Sequence, residues 1–149
     1  GDLRVAGATP SQTVGPFFAI GLCRRPENEP GTTLRLPGRL IDGAGEPIVD
    51  GVIEVWDASR RTWGRCGTDA QGSFTFTIDP PEPFLHVFVL ARGLLKHQLT
   101  RVYAPGASDA TRESLSPEQR ETLVATEEDG ALRFDIRMQG PRQTVFFAV

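Results

Sequence analysis

The chain has 149 residues and a net charge of −3, with acidic and basic side chains interspersed. It therefore lacks the basic footprint that nucleic acid demands and any Lys/Arg run suited to a membrane surface. Its 39% hydrophobic and 23% charged residues are the balance of a soluble globular protein and exclude a disordered chain.

At this length a domain buries roughly 70% of the surface its unfolded chain exposes, so one domain over residues 1–149 needs no metal or disulfide to fold. No stretch approaches the ~20 apolar residues of a membrane span, and the first residues lack a charged-then-apolar signal pattern. Cys23 and Cys66 have no C-x-x-C spacing and read as reduced thiols. The expectation is a cytoplasmic protein.

In chain order, residues 1–22 form an extended N-terminal arm. Pro10, Gly15 and Pro16 prevent helix there, and Phe17, Phe18, Ile20 and Leu22 give the arm a greasy end that must dock. It either staples to its own domain or reaches across a subunit boundary. From Leu34 the pattern is that of short strands. Leu34 to Leu36 and Gly38 to Ile41 lead into a turn at Asp42 to Gly45, from which Gly51 to Trp56 returns. Thr68 to Gly72 turns again, and the next strand places Phe74, Phe76 and Ile78 on one face against Ser73, Thr75 and Thr77 on the other.

Asp79 to Pro83 is too rich in proline for sheet interior. Leu85 to about Ala91 is apolar on both faces and predicts a doubly covered strand, followed by a break at Gly93 and a strand over Gln98 to Tyr103. One short helix is expected, opened by a capping box at Ser116, Pro117 and Gln119 and ending near Val124. Glu127 to Gly130 should turn into a half-buried strand over Leu132, Phe134, Ile136 and Met138. A last strand, Gln143 to Val149, is apolar on both faces and should be central or covered. Seven or eight strands with frequent turns predict an all-β fold, a β-sandwich.

The chain has no phosphate-binding glycine loop, no dinucleotide fingerprint, no His-Glu-x-x-His and no paired Cys-x-x-Cys. His86 lies in the doubly covered strand and reads as a core histidine before it reads as a ligand; His97 reads as exposed in a connection. Arg92 ends the apolar run on the face of His86. Its charge there must be paired at a strand end or aimed at an anion such as a carboxylate.

Several motifs carry a resemblance. They are Thr9 to Phe18, Val55-Trp56, Gly64-Arg65 with Thr68-Asp69 and Gly72, Ala91-Arg92-Gly93, Thr100 to Tyr103, Leu132 to Gly140, and Thr144 to Phe147. Spread from residue 9 to 149, they resemble the alpha-type chains of the protocatechuate-cleaving intradiol dioxygenase family. The resemblance implies a β-sandwich in a complex with a beta-type chain. That partner holds ferric iron with two tyrosines and the two histidines of a His-x-His strand, a donor set suited to Fe(III). In this sequence the His-x-His place reads Phe84-Leu85-His86, and Tyr103 is the sole tyrosine.

The resemblance therefore implies no catalytic residue and no metal or other cofactor in this chain, with ferric iron expected in the beta chain. It also implies that the aromatic acid substrate and O2 meet at a shared site. Thr13, Gly15, Pro16 and Arg92 are the positions that would wall it, the arm then crossing the boundary. The segments from Asp57 to Gly64 and from Ile78 to Phe84 are shorter than the family's loops. A chain that keeps the fold but serves only as a binding or assembly module is the competing expectation.

Overall fold

In a computed structural model, which describes residues 34–91 and 97–148, the chain runs through nine strands and two short helices. These are β1 (Leu34–Ile41), β2 (Val52–Asp57), β3 (Thr62–Gly67), β4 (Ser73–Ile78), β5 (Phe84–Leu90), β6 (Gln98–Tyr103), α1 (Ala110–Glu113), α2 (Pro117–Glu121), β7 (Thr126–Glu128), β8 (Ala131–Arg133) and β9 (Ile136–Arg137). One sheet has the order β4-β1-β9, a second β3-β2-β5-β6, and β7 and β8 form a small hairpin. The arm, residues 1–22, lies outside the described residues.

Period-two alternation explains the two layers. Leu36, Leu40, Phe74, Phe76, Ile78 and Ile136 from the first sheet meet Ile53, Val55, Leu85, Val87, Val89 and Val102 from the second in one core. The architecture is the expected all-β sandwich. Directly opposed residues share a face, so Trp56, His86 and Arg101, which face one another across β2, β5 and β6, stand on the side of the second sheet turned away from that core. β5 is buried on both faces over Leu85 to Val89, as its composition requires.

Several local expectations are corrected. The turn at Asp42 does not send β2 back along β1. Asp42 Oδ1 accepts from the Ala44 and Glu46 amides, and only a bridge between Ile41 and Pro47 follows, because proline has no N–H to extend the ladder. The chain then crosses to the other sheet at Asp50, whose φ is 61°, while β1 pairs with β4 from Leu34 opposite Ile78 to Arg39 opposite Ser73. β3 was not expected at all. There are two short helices rather than one. The capping box of α2 is formed as anticipated, but the helix ends at Glu121 rather than near Val124, and α1 is capped by Asp109. Glu127 and Glu128 belong to β7, and the turn itself is Asp129-Gly130 with both φ values positive, 50° and 80°.

The expected strand over Leu132 to Met138 keeps its alternation but is divided. At the break, Asp135 Oδ1 takes the Arg39 amide (3.0 Å) in place of a backbone carbonyl. The C-terminal segment is not a strand. Among its described residues, the Thr144 hydroxyl accepts from the Arg137 amide, the Val145 amide donates to Thr122 Oγ1, and Val145's carbonyl accepts from Thr100 Oγ1. Two more of its amides go to single backbone carbonyls, Thr144 to Arg137 and Phe147 to Leu99, and the segment touches the second sheet by one bridge, Leu99 to Phe147.

The two short segments are tied to each other. Arg60 donates to Asp57 Oδ2 at 2.7 Å and to the Pro80 carbonyl, lies 3.6 Å from Asp79 and reaches Glu82. Burial would push the Asp57 carboxyl up, but the hydrogen bonds from Arg60 and Ser59 hold it below its usual range.

Close approach of β1 to the chain after β8 depends on Gly38. A Cβ there would sit 1.8 Å from the Phe134 carbonyl oxygen and 2.5 Å from the Phe74 ring. Gly38→Ala should therefore cost about 3 kcal/mol, the upper part of the overpacking range. Gly43→Ala, whose Cβ would lie 3.1 Å from the Gln139 Cβ and 3.2 Å from its Oε1, should cost under ~1 kcal/mol. Urea unfolding of the two variants checks the contrast.

Candidate functional site

Strand β5 presents Phe84 and His86 on the outer face, 5.0 Å apart and edge-on. Across from His86 stand Trp56 on β2 and Arg101 on β6. Arg101 is 2% exposed. Its guanidinium carbon lies 4.0 Å above the Phe84 ring centre and 5.3 Å from that of Phe147, an arrangement worth about 2 kcal/mol when desolvated. Nη1 donates to Tyr103 Oη (3.0 Å) and to Asp109 Oδ2 (3.4 Å), and Tyr103 Oη donates to Asp109 Oδ1 at 2.9 Å. The same Asp109 oxygen accepts the Arg112 amide as the cap of α1.

Electrostatics follow from this packing. Burial first, and then the Arg101 charge, lower the His86 pKa to about 4, so the imidazole is neutral at pH 7. Burial raises the Tyr103 pKa, aided by Asp109 against the opposing pull of Arg101, so the phenol keeps its proton. Beside this group, Glu54 and Arg65 form a buried ion pair with Nε to Oε2 at 2.9 Å. Breaking such a pair costs ~3–5 kcal/mol.

These residues do not fit an iron centre. Phe84 offers no lone pair, Tyr103 is committed to Asp109, and a guanidinium stands where a second cation would have to be tolerated. Among the described residues no group of three or more His, Cys, Asp or Glu side chains could hold a metal ion, and no helix is long and apolar enough to cross a membrane.

Of the residues singled out in the sequence, Phe84 and His86 are brought together on β5. Thr13, Gly15, Pro16 and Arg92 lie outside the described residues, Arg92 directly after Ala91 at the end of the β5 segment. His97, expected to be exposed, is half-buried with its ring 5.9 Å from Phe88. Sequence reasoning missed the parts played by Trp56, Arg101 and Asp109. The signal for Arg101 was the shared parity of positions 101 and 103 in a strand that is buried from Leu99 onward. Asp109, six residues beyond the strand, gave none. A separate open groove of about 900 Å³ is lined by Glu118, Glu121, Arg133, Arg137, Arg142 and neighbouring residues, none from β5 or β6.

The chain is 34% identical to the protocatechuate 3,4-dioxygenase alpha chain of Burkholderia cepacia, across 95% of this chain and 97% of the relative. It belongs to the protocatechuate 3,4-dioxygenase alpha-chain family. The Pseudomonas putida alpha chain is 31% identical across 93% of this chain and 95% of its own length. Both alignments run over 191 positions against a chain of 149 residues, so these alpha chains carry segments that this family member lacks. No family model matches.

Solved structures share the fold. The dioxygenase domain of a dioxygenase carbohydrate-binding protein fusion from Streptomyces sp. SirexAA-E aligns with a TM-score of 0.59 at 22% identity, over 85% of this chain and 94% of that one. Catechol 1,2-dioxygenase from Acinetobacter sp. ADP1 aligns with a TM-score of 0.56 at 19% identity, over 76% of this chain and 54% of that one. Hydroxyquinol 1,2-dioxygenase from Pseudomonas putida DLL-E4 aligns with a TM-score of 0.59 at 15% identity, over 92% and 65%.

His86 makes stability pH-dependent with a definite sign. Its folded pKa of about 4 lies below the ordinary 6.5, so between these values the unfolded chain binds more protons and stability rises with pH. The contribution is complete above pH 6.5 and is lost as pH falls toward 4, to a total of about 3 kcal/mol. His86→Phe should flatten that part of the profile, read as urea midpoints between pH 4 and 7.

Proposed function

We propose that this chain is the alpha subunit of a protocatechuate 3,4-dioxygenase whose ferric iron is held by a beta-type partner. The complex would open the ring of protocatechuate between its two hydroxyls, placing both atoms of O2 in the product, 3-carboxy-cis,cis-muconate. The observation that carries the reading is the Phe84-Leu85-His86 strand with Arg101 stacked on Phe84. In this reading the strand stands where the partner has its His-x-His, in a chain alignable over nearly its whole length with alpha chains.

In this reading the chain is one domain over residues 1–149, and its work is to shape the partner's pocket. The arm, residues 1–22, crosses the subunit boundary and brings Thr13, Gly15 and Pro16 to the wall. Arg92 offers its planar fork of donors to the substrate carboxylate. Such groups orient the substrate and supply a fixed positive potential without moving during the reaction. The iron, bound by the partner, supplies activation of the diol and O2. We place the complex in the cytoplasm, where Cys66, a buried free thiol pushed up in pKa by its burial, stays reduced.

Co-expression with a homologue carrying two tyrosines and a His-x-His strand should give a co-purifying pair that holds iron and cleaves protocatechuate, while the purified chain alone is inactive with added iron. Cleavage by the isolated chain, or two chains that do not associate, would reject the reading. In the pair, Arg92→Ala should lower kcat/KM by roughly 10- to 100-fold, the loss of one charge-assisted contact. Unchanged kinetics would remove Arg92 from the pocket.

A further inference from the structure

The open groove of about 900 Å³ away from β5 and β6 carries charge of both signs that the chain does not use. Its acids are Glu118 and Glu121 on α2 and Glu128 on β7; its arginines include Arg137 on β9 and Arg142 in the turn that follows. Among the described residues, none of these five side chains makes an ion pair or a hydrogen bond. The remaining charged pair of the groove, Arg133 and Asp135, is closed at 2.9 Å. All five are exposed except Arg137, which is half-buried. The two sides stand too far apart for their own charges to meet.

We infer that this groove is a self-association surface whose occupant is α2 of a second copy of the chain. A ligand of one sign is disfavoured, since an anion would meet three unpaired carboxylates and a cation two unpaired guanidiniums. The lining is mainly polar, unlike the apolar clefts that hold small molecules, so the groove suits a protein surface that carries both signs. The chain has that surface itself. α2 buries none of its five residues and is fixed by its capping box, so it stands as a rigid ridge beside the groove. In a two-fold contact one patch meets itself and each residue pair occurs twice. Such an axis lays Glu118 and Glu121 of each copy against Arg137 and Arg142 of the other.

Two copies of net charge −3 repel when they meet at an acidic face. Here three free acids stand beside two free arginines, so the contact begins near neutrality, and salt would screen an attraction. Exposed pairs of this kind are individually weak, so the expected complex is a reversible dimer with a small interface. The inference uses neither the arm nor Arg92 and does not rest on pairing with a beta-type chain.

Sedimentation velocity of the purified full chain should show a monomer–dimer equilibrium at roughly micromolar concentration, weakened about tenfold between about 0.05 and 0.5 M NaCl. The double variants Arg137→Glu/Arg142→Glu and Glu118→Arg/Glu121→Arg should each be monomeric, because like charges then face each other in both halves of the contact. Mixed in equal amounts, the two should form a heterodimer, since every reversed charge then meets a partner of opposite sign. Arg142→Glu alone, at an exposed position, gives the same reading with a smaller loss should the first double variant fail to fold. A wild-type chain that stays monomeric, a dimer indifferent to salt or to these variants, or variants that do not associate on mixing would each overturn the proposal. So would variants that keep the dimer but no longer co-purify with a beta-type chain, which would give the groove to that partner.

Discussion

The outer face of the second sheet depends on where the Arg101 charge goes. A guanidinium 2% exposed to solvent has to find its counter-charge inside the protein. It finds Asp109, and Asp109 is at once the cap of α1 and the acceptor for Tyr103. One carboxylate thus ties the end of β6 to the start of the helical segment. The rest of the guanidinium is shielded by the Phe84 and Phe147 rings, which brings the C-terminal segment onto the sheet. His86, one strand away, stays neutral partly because that charge is there.

The short connections follow the same rule of one cation serving several anions. Arg60 reaches Asp57, Asp79 and Glu82, of which Asp57 and Asp79 are 2% and 3% exposed. Because Asp57 ends β2 and Asp79 follows β4, the arginine links the ends of strands from both sheets. Loop length matters little to stability, whereas a carboxylate left buried without its partner would matter greatly. The compact connections are held by charge rather than by apolar packing.

Legibility in the sequence follows from which interactions are local. β4 was readable because Phe74, Phe76 and Ile78 alternate strictly, and α2 because Ser116, Pro117 and Gln119 act within one turn. β3 was not, because Gly64, Arg65 and Gly67 have no strand preference of their own; the segment is a strand only because β2 offers it a ladder from Val52 to Asp57. Gln143 to Val149 failed in the opposite way. It has strand composition, but both backbone groups of Val145 are held by side chains, those of Thr100 and Thr122, and nothing local announces that. At the site, the Phe84-Leu85-His86 run stood out in the sequence. The role of Arg101 could not, since it depends on Asp109 arriving from beyond the strand.

Period two also lets β5 carry two independent sets of side chains. On β5 the core is made by Leu85, Val87 and Val89, and the chemistry by Phe84 and His86 between them. Exchange at the second set leaves the first untouched, so the outer face and the core can vary separately along the same seven residues. What the exchange cannot do is leave the outer face bare. A fixed cation, Arg101, fills it between the Phe84 and Phe147 rings, with Asp109 as its counter-charge.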